Sequence, residues 1–470
     1  MNPVHVQSGQ RRAQSAQPAR VRTIGFISLG CPKNQLDLEL MLGQAEVSGF
    51  RITNRIEEAD ILVVNTCAFI GPAVEEADRN IRDAARYKRD GRCSRLIVSG
   101  CLPQYMKDKA AEKYPFVDAF MTPNDVMKLP EVLEELEHGE RITVGQSVPL
   151  PSFLYDGAGP RIRSTPPGMA YVKIAEGCNH TCQFCCIPSI RGRFRSRTIA
   201  SIAGEVEALV ASGVREIVLI SQDSTHFGKD RRADGEDLPA LYARLAAIPG
   251  DFWVRTMYLY PNKVTNAVLA QVAANPERLL PYFDIPIQHV SDDILRAMRR
   301  IGDKRAIIGC LSTIRREVPG AIIRTNLVVG YPGETEAHFR ELLEFVKEGF
   351  IDRLGVFPFS NHPGIPAYQE NEAISEEEKQ ARRNLLMQAQ QEVARLKNEQ
   401  LVGQTSRILI YERRKVDGKG YVYLGRSYRD AHEIDGVTYV HSRERRPTGE
   451  FALVRITKAH PYDLEAAFIG

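Results

Sequence analysis

Three cysteines at the spacing CxxxCxxC constrain this chain more than any other feature. Cys178, Cys182 and Cys185 follow an apolar, strand-like stretch at residues 171–175. A four-iron cluster normally takes four thiolates, so three thiols can hold three irons and leave the fourth open to a small molecule. An open iron suits a chemical role better than electron transfer alone. The alternatives are a zinc site, for which only His180 is at hand as a fourth ligand, and buried thiols that bind no metal.

The composition is that of an ordinary globular protein. A length of 470 residues suggests roughly two to four domains, and 43% hydrophobic with 26% charged residues is typical of such chains. The net charge of +3 is too small to argue for nucleic acid by itself. Nine cysteines, an odd number without a secretory signal, favour a reducing compartment with metal-bound thiols over a disulfide framework.

Neither a membrane span nor a clear targeting segment is predicted. No stretch approaches the roughly 18 uninterrupted apolar residues of a span, so we expect a cytoplasmic protein with no membrane partner. Residues 1–21 are rich in Gln, Ser, Ala, Pro and Arg and lack acidic residues. They predict a disordered tail, with an organelle-targeting peptide as the alternative.

The N-terminal region, residues 22–148, alternates short apolar runs with amphipathic segments. Strands are predicted at 23–29, 60–66 and 95–99, and helices at 37–48 and 73–87. This alternation predicts a parallel α/β domain. Residues 149–168 contain five Pro and three Gly and predict a linker.

A second region, residues 169–374, repeats strand and helix. Its predicted strands are 170–175, 216–221, 252–259, 283–287, 321–329 and 354–359. About six βα units in roughly 200 residues predict a partial (β/α)6 barrel rather than a closed eight-stranded one. Chemistry in such barrels lies at the C-terminal ends of the strands, and Cys178 follows the first strand at that end.

The C-terminal part is predicted to be a helix followed by a small all-β barrel. Residues 375–401 lack Pro and Gly and predict one long helix, with Ser375 as its cap. Residues 402–470 contain short alternating runs separated by turns. The predicted strands are 407–412, 420–425, 437–440 and 451–459.

A second set of thiols stands out by position rather than by spacing. Cys31, Cys67 and Cys101 each lie just past the end of a predicted parallel strand. Ligand-binding groups converge at that edge of an open α/β sheet. We therefore expect a second three-cysteine [4Fe–4S] cluster here, with three buried thiols that act as small hydrophobes as the alternative. Cys93, Cys186 and Cys310 have no such setting and are predicted to be structural.

Together these elements resemble the methylthiotransferase family of radical S-adenosylmethionine (SAM) enzymes over about residues 22–468. That family combines an N-terminal cluster domain, a radical SAM partial barrel and a small all-β TRAM barrel. One class modifies a tRNA adenosine (MiaB type), and another modifies an aspartate of small-subunit ribosomal protein twelve (RimO type). The chain resembles the second class. The similar segments are residues 28–34 (Ser-Leu-Gly-Cys-Pro-Lys-Asn), 65–70, 174–180, 187–192, 425–431 and 433–436.

The resemblance implies a mechanism that uses two [4Fe–4S] clusters and SAM. The Cys178/Cys182/Cys185 cluster would reduce SAM and give a 5′-deoxyadenosyl radical that takes hydrogen from the aspartate β-carbon. The carbon radical would then capture sulfur held at the Cys31/Cys67/Cys101 cluster, and a second SAM would methylate that sulfur. The implied partners are ribosomal protein twelve, either free or within the ribosomal subunit, together with sulfur-donor and electron-donor proteins; we expect a monomer.

Five residues are predicted to contact SAM because they lie after the cluster loop or near strand ends in the partial barrel. They are Glu205, Gln222, Arg324, Asn326 and Gly330. Gln288 and His289 could line the substrate cavity. Two other functions stay open: a tRNA methylthiotransferase, which the C-terminal sequence disfavours, and a non-enzymatic iron–sulfur or RNA-binding protein, which would not need an open iron.

Overall fold

Two parallel sheets and one closed barrel make up the computed structural model, which describes residues 22–145, 149–418 and 420–469. The predicted tail, residues 1–21, lies outside this range. Within the described residues no helix combines the length and the apolar character needed to cross a bilayer. The predicted fold class, with two α/β regions followed by a small β-barrel, is confirmed.

The first sheet is fully parallel and has the strand order β2-β1-β3-β4-β5. Its strands are β1 Thr23–Ser28, β2 Arg51–Thr53, β3 Ile61–Thr66, β4 Arg95–Gly100 and β5 Ala119–Met121. Its helices are α1 Pro32–Val47, α2 Gly71–Asp90, α3 Cys101–Met106, α4 Lys109–Lys113 and α5 Leu129–Glu137. Three of the five strands were predicted; β2 and β5 are too short to give a clear apolar run.

The second sheet contains six parallel strands in chain order and stays open, as a partial barrel does. Its strands are β6 Met169–Lys173, β9 Glu216–Ile220, β10 Trp253–Thr256, β11 Leu279–Asp284, β12 Ile322–Val329 and β13 Arg353–Pro358; β7 Ala175–Glu176 and β8 Arg195–Ser196 form a separate short pair. The helices are α6 Ile187–Arg191, α7 Ile199–Ala211, α8 Leu238–Ala246, α9 Asn266–Ala274, α10 Asp292–Ala297, α11 Lys304–Glu317 and α12 Glu336–Lys347.

One strand of this sheet lies earlier than predicted. The sequence pattern indicated 283–287, whereas β11 spans Leu279–Asp284. Pro281 lies inside the strand, next to a register irregularity between β10 and β11. Proline is tolerated at such an irregularity because the ladder does not require its N–H there. Pro286 prevents the ladder from continuing.

The C-terminal helix and barrel match their predictions closely. Helix α13 spans Glu376–Glu399, and the Ser375 hydroxyl accepts the Glu378 N–H at its start. The barrel closes in the order β14-β15-β16-β18-β17. Its strands are β14 Thr405–Val416, β15 Gly420–Ser427, β16 Thr438–Ser442, β17 Phe451–Ala459 and β18 Leu464–Phe468, the last of which was not predicted.

Buried ion pairs join the barrel to the six-stranded sheet. The Glu216 carboxylate on β9 pairs with Arg255 and with Arg426 of β15. Arg353 on β13 pairs with Asp430 at 2.7 Å. Removing one partner of such a pair leaves a buried charge uncompensated, so these contacts fix how the barrel sits against the sheet.

Candidate active site

All six predicted cluster thiols line a single cavity of about 300 Å³. The cavity lies where the carboxyl ends of the strands of both parallel sheets meet. Its cysteines are Cys31, Cys67, Cys101, Cys178, Cys182 and Cys185. The structure therefore brings together two triplets that lie far apart in the sequence.

The topology of the first sheet explains why Cys31, Cys67 and Cys101 converge. Cys31 follows β1 and caps α1, with Pro32 in the first helical position. Cys67 follows β3, and Cys101 opens the helix after β4. Strands β1 and β3 are neighbours whose connections leave in opposite directions, and ligands bind at such a switch point in open α/β sheets.

Two glycines allow these loops to approach each other closely. Gly30 has φ +95°, and a Cβ there would lie 2.7 Å from the Cys67 Cβ. Gly100 has φ +96°, and a Cβ there would lie 2.5 Å from the Thr66 carbonyl oxygen. A side chain at either position would combine an unfavourable backbone conformation with a clash.

The loop after β6 presents the second triplet. The Cys178 N–H donates to the Gly192 carbonyl oxygen at 3.1 Å, which closes the loop against the chain that follows α6. His180 pairs with Asp223 at 2.7 Å and stacks on Tyr260 with ring centroids 4.2 Å apart. The carboxylate takes Nε2, so only Nδ1 of His180 is left as a possible fourth ligand of the zinc alternative.

The donor set suits iron–sulfur clusters better than a single metal ion. Among the described residues, no three His, Cys, Asp or Glu side chains are grouped closely enough to hold one ion. A cubane cluster takes one thiolate per iron, so its cysteines stand apart from each other. All six thiols are free cysteines. Burial raises the pKa of Cys67 to about 12 and that of Cys178 to about 11, so these thiols stay protonated until a metal displaces the proton.

A buried ionic network connects the two triplets. The Asp37 carboxylate on α1 pairs with Lys173 at 2.8 Å and with Arg191 at 2.6 Å. Lys173 also pairs with Glu176 at 2.5 Å. Arg191 donates to the Asn34 side-chain oxygen and to Cys101 Sγ, the latter at 3.2 Å. Arg191 and Lys173 belong to the second region and contact the first, so the network fixes the relative position of the triplets.

The network also controls the charge of Glu176. Burial alone would raise the pKa of this carboxyl, but Lys173 and Arg191 outweigh that effect and lower the pKa below its ordinary value. The Gln222 amide donates to Glu176 at 2.5 Å, and its own oxygen is left without a hydrogen-bond partner in the described structure. Gln222 lines the cavity, so this oxygen can accept from an ammonium or hydroxyl group of a bound molecule.

Of the five predicted SAM contacts, the structure brings two to the cavity wall. Gln222 and Asn326 line the cavity. Glu205 instead pairs with Arg161 and Arg197, at 2.6 and 2.5 Å. Arg324 and Gly330 also lie outside the cavity wall, where they contact other residues.

Their contacts explain why Arg324 and Gly330 do not reach the cavity. Arg324 lies two residues before Asn326 on the same face of β12, so its side chain is farther from the carboxyl end of the strand. It forms an ion pair with Asp284 at 2.8 Å. The Gly330 N–H donates to Glu334, and a Cβ at Gly330 would lie 2.3 Å from Lys379. Its role is in packing the turn after β12.

Of the two residues that were predicted to line the substrate cavity, one does so and the other does not. Gln288 lines the cavity, but His289 is buried away from it and accepts the Ser291 N–H at 2.9 Å. The three other cysteines, which were predicted to be structural, lie outside the cavity wall. Cys93 contacts the Arg95 carbonyl oxygen, Cys186 those of Ala68 and Phe69, and Cys310 that of Pro261.

Several cavity residues were missed by sequence reasoning. They are Lys33, Arg191, Asp223, Tyr258, Tyr260 and Arg300. Two signals could have found some of them: Lys33 lies two residues after Cys31, and Asp223 follows the end of β9. The strained backbone of Tyr258, with φ +63°, has no sequence signature in a non-glycine residue.

Known families account for most of the chain. Residues 23–122 match the profile of "Uncharacterized protein family UPF0004", residues 172–346 that of the "Radical SAM superfamily", and residues 402–469 that of the "TRAM domain". Full-length relatives are more specific. The protein named "Ribosomal protein uS12 methylthiotransferase RimO" of Desulforamulus reducens is 44% identical over 94% of this chain and 98% of its own length. The protein with the same name from Syntrophus aciditrophicus is 43% identical over 96% and 99%.

The chain belongs to the RimO family of radical SAM methylthiotransferases. Membership confirms the predicted family and enzyme class. Family membership also confirms the predicted cofactors, which are [4Fe–4S] clusters and SAM. The free thiols around the cavity and the unpaired Gln222 oxygen are compatible with both cofactors.

A solved structure agrees with the fold. The radical SAM methyltransferase TsrM from Kitasatospora setae superimposes with a TM-score of 0.53 over 85% of this chain and 78% of that chain. The two sequences are 13% identical, so the likeness supports the shared architecture and nothing finer.

Proposed function

We propose that this RimO family member adds a methylthio group to the β-carbon of an aspartate in ribosomal protein uS12, the small-subunit protein twelve. The observation that carries the proposal is the single cavity lined by both cysteine triplets. A reaction that must break a C–H bond and form a C–S bond at one carbon needs both sites within reach of that carbon. The substrate is the one for which the relatives are named.

We assign Cys31, Cys67 and Cys101 to one [4Fe–4S] cluster and Cys178, Cys182 and Cys185 to the other. When bound, the clusters and SAM supply the electron, the hydrogen-abstracting radical, the sulfur and the methyl group that the protein itself cannot provide. Gln222 accepts a hydrogen bond from SAM through its free oxygen, and Asn326 lies on the same wall. Phe69, Phe184 and Ile187 give part of the cavity wall an apolar surface.

A groove beside the cavity gives a large substrate access to it. Cys31 is exposed and lines both the cavity and a groove of about 1110 Å³. The groove runs between α1, the segment 162–168 and the C-terminal barrel. An extended segment of a protein can lie there and place one side chain at Cys31.

The charge of this groove favours a protein over tRNA. Its walls carry Arg163, Arg215 and Arg414, but also Glu412, Glu433 and Glu450. A phosphate backbone is normally met by an excess of Lys and Arg, whereas mixed charge suits a polypeptide. The tRNA adenosine reaction of the MiaB type is therefore the disfavoured alternative.

The remaining expectations are part of the same proposal. The domains are taken as residues 22–148, 169–374 and 402–470, joined by the linker 149–168 and the helix 375–401. The protein acts as a monomer in the cytoplasm, with separate proteins that donate sulfur and electrons.

Cells with and without the gene provide the test. The mass of uS12 would be measured and the modified residue located by fragmentation, and tRNA nucleosides from the same cells would be profiled. We expect loss of an aspartate-borne methylthio group without any change in tRNA. Loss of a methylthio-adenosine with unmodified uS12 in both strains would contradict the proposal.

A further inference from the structure

One buried cation in the cavity has no carboxylate partner among the described residues. Lys33 lies in the first turn of α1, two residues after Cys31, and is only 7% exposed. It lines the cavity, and its ammonium nitrogen is 3.0 Å from the centroid of the Tyr258 ring. No Asp or Glu side chain of the described residues lies within ion-pair distance of it.

The other cations of the cavity are already engaged. Arg191 is held by Asp37 and Asn34 and donates to Cys101. Arg300 donates to the Pro286 carbonyl oxygen at 2.5 Å and lies over the Tyr260 ring. Arg300 has no carboxylate partner either, but it is only partly buried; Lys33 is the buried cation of this wall whose ammonium makes no hydrogen bond or ion pair within the described residues.

Lys33 shares the cavity wall with two residues that have strained backbones. Tyr258, which lies against the ammonium, has φ +63°, and its N–H is held by the Asp284 carboxylate at 2.9 Å. Gln288, on the same cavity wall, has φ +77°. Strained non-glycine residues persist where the surroundings hold them, and they cluster at ligand sites. Burying an ammonium without a carboxylate partner is unfavourable, and a bound anion would offset that free energy.

We propose that Lys33 binds the side-chain carboxylate of the substrate aspartate. This inference rests on the proposed function and refines it. The aspartate β-carbon carries that carboxylate directly, so binding the carboxylate at Lys33 places the reacting carbon one bond away, next to Cys31. The same contact should make the enzyme prefer aspartate over its neutral isostere asparagine.

The competing role for Lys33 is compensation of the negative charge of the Cys31 cluster. In that case replacing the lysine would change the cluster but not the choice between two substrates. The two roles separate in a cycle of two enzymes and two substrates: wild type and Lys33→Gln, each with uS12 and with uS12 whose target aspartate is changed to asparagine.

The full-length protein, reconstituted with its clusters, would be assayed for methylthiolation with both substrates, and iron content would be measured for each variant. The wild type should prefer aspartate by at least about 30-fold in kcat/KM, the scale of losing one partner of a buried charge pair. Lys33→Gln should lose most of that preference, chiefly through a higher KM for the aspartate substrate. Lys33→Arg should recover part of it. Lys263→Gln is the matched control, since Lys263 also lies over a cavity tyrosine, Tyr260, but does not line the cavity.

The outcomes are distinct. An unchanged preference in Lys33→Gln with full iron content would overturn the carboxylate subsite and leave the proposed function intact. Should Lys33→Gln lose iron, the comparison moves to Lys33→Arg, and an equal loss of preference in that charged variant would count against the subsite. A wild-type enzyme that modifies neither substrate would overturn the proposed function and the subsite with it.

Discussion

The Arg191 guanidinium donates to Cys101 Sγ at 3.2 Å, although the two residues are 90 positions apart in the chain. Arg191 ends the helix that follows the CxxxCxxC loop, and Cys101 belongs to the other triplet. A positive group from one cluster-binding region therefore contacts a ligand of the other. Hydrogen bonds to a ligating sulfur, together with net charge, set the potential of an iron–sulfur cluster.

Replacing Arg191 should make the N-terminal cluster harder to reduce. Arg191→Gln removes a positive charge and a hydrogen bond from Cys101, so the more negative reduced state loses stabilisation. We expect the reduction potential to fall by roughly 50 mV or more, since a hydrogen bond to a charged group contributes about 1.5–3 kcal/mol. The measurement is a redox titration followed by electron paramagnetic resonance, with the other triplet changed to alanine. Arg195→Gln is the control, because Arg195 donates to backbone carbonyls and not to a thiol; equal shifts in both variants would count against a direct effect.

Gly30→Ala should disrupt the N-terminal triplet. The new Cβ would lie 2.7 Å from the Cys67 Cβ, at a residue with φ +95°. Gly49→Ala separates backbone strain from crowding, because Gly49 has φ +83° and no atom within 4 Å of a built Cβ. We expect Gly30→Ala to lower iron bound per chain and Gly49→Ala to cost only about 1 kcal/mol of stability. Equal iron content in both variants would show that the close approach at Gly30 is not needed.

The two triplets should be separable by function. Cys67→Ala should remove about four irons per chain and abolish methylthiolation, while reductive cleavage of SAM persists. Cleavage depends on the Cys178 triplet, which this change leaves in place. Cys186→Ala is the matched control, since Cys186 is buried beside Cys185 but lies outside the cavity wall. Full methylthiolation by Cys67→Ala would remove the need for a second cluster.

Mild acid should destabilise the protein partly through His289. Burial lowers the pKa of this imidazole from 6.5 to about 3. Below pH 6.5 the unfolded chain therefore binds a proton that the folded chain does not, so the stability present above pH 6.5 falls as the pH drops toward 3. Between pH 7 and pH 5 this residue should account for about 2 kcal/mol of the loss.

His289→Asn tests this contribution. The shorter side chain keeps an acceptor for the Ser291 N–H but cannot be protonated in this range. Urea unfolding at pH 7 and pH 5 should show a smaller acid-induced loss for the variant than for the wild type. The same loss in both proteins would mean that His289 is not buried as a neutral imidazole.

Much of this architecture could be predicted from local sequence patterns. The apolar runs of β1, β3 and β4 place a cysteine at the end of each strand, and the parallel arrangement then makes the cysteines meet. Helix α13 was predicted from its composition and from the Ser375 cap. The strands β2 and β5 were missed because three residues carry little periodic signal, and β18 because its sequence, Leu-Glu-Ala-Ala-Phe, has no β-branched residue.

What sequence reasoning could not provide depends on contacts across the fold. Glu205 and Arg324 were placed at the ligand because they lie near strand ends, yet distant charged partners engage both. Asp37 meets Arg191 across 154 positions, and no local pattern encodes that distance. Lys33 lies within a motif that the sequence reveals. That no Asp or Glu of the described residues pairs with it can be seen only in the folded structure.

The proposed reaction requires that both cysteine triplets act on the same substrate carbon. The most direct measurement uses uS12 carrying deuterium at the aspartate β-carbon, incubated with the reconstituted protein, SAM, reductant and sulfide. We expect deuterium in the 5′-deoxyadenosine that forms and a methylthio group on that same aspartate. A methylthio group that appears there while the 5′-deoxyadenosine stays free of deuterium, or no modification of uS12 at all, would contradict it.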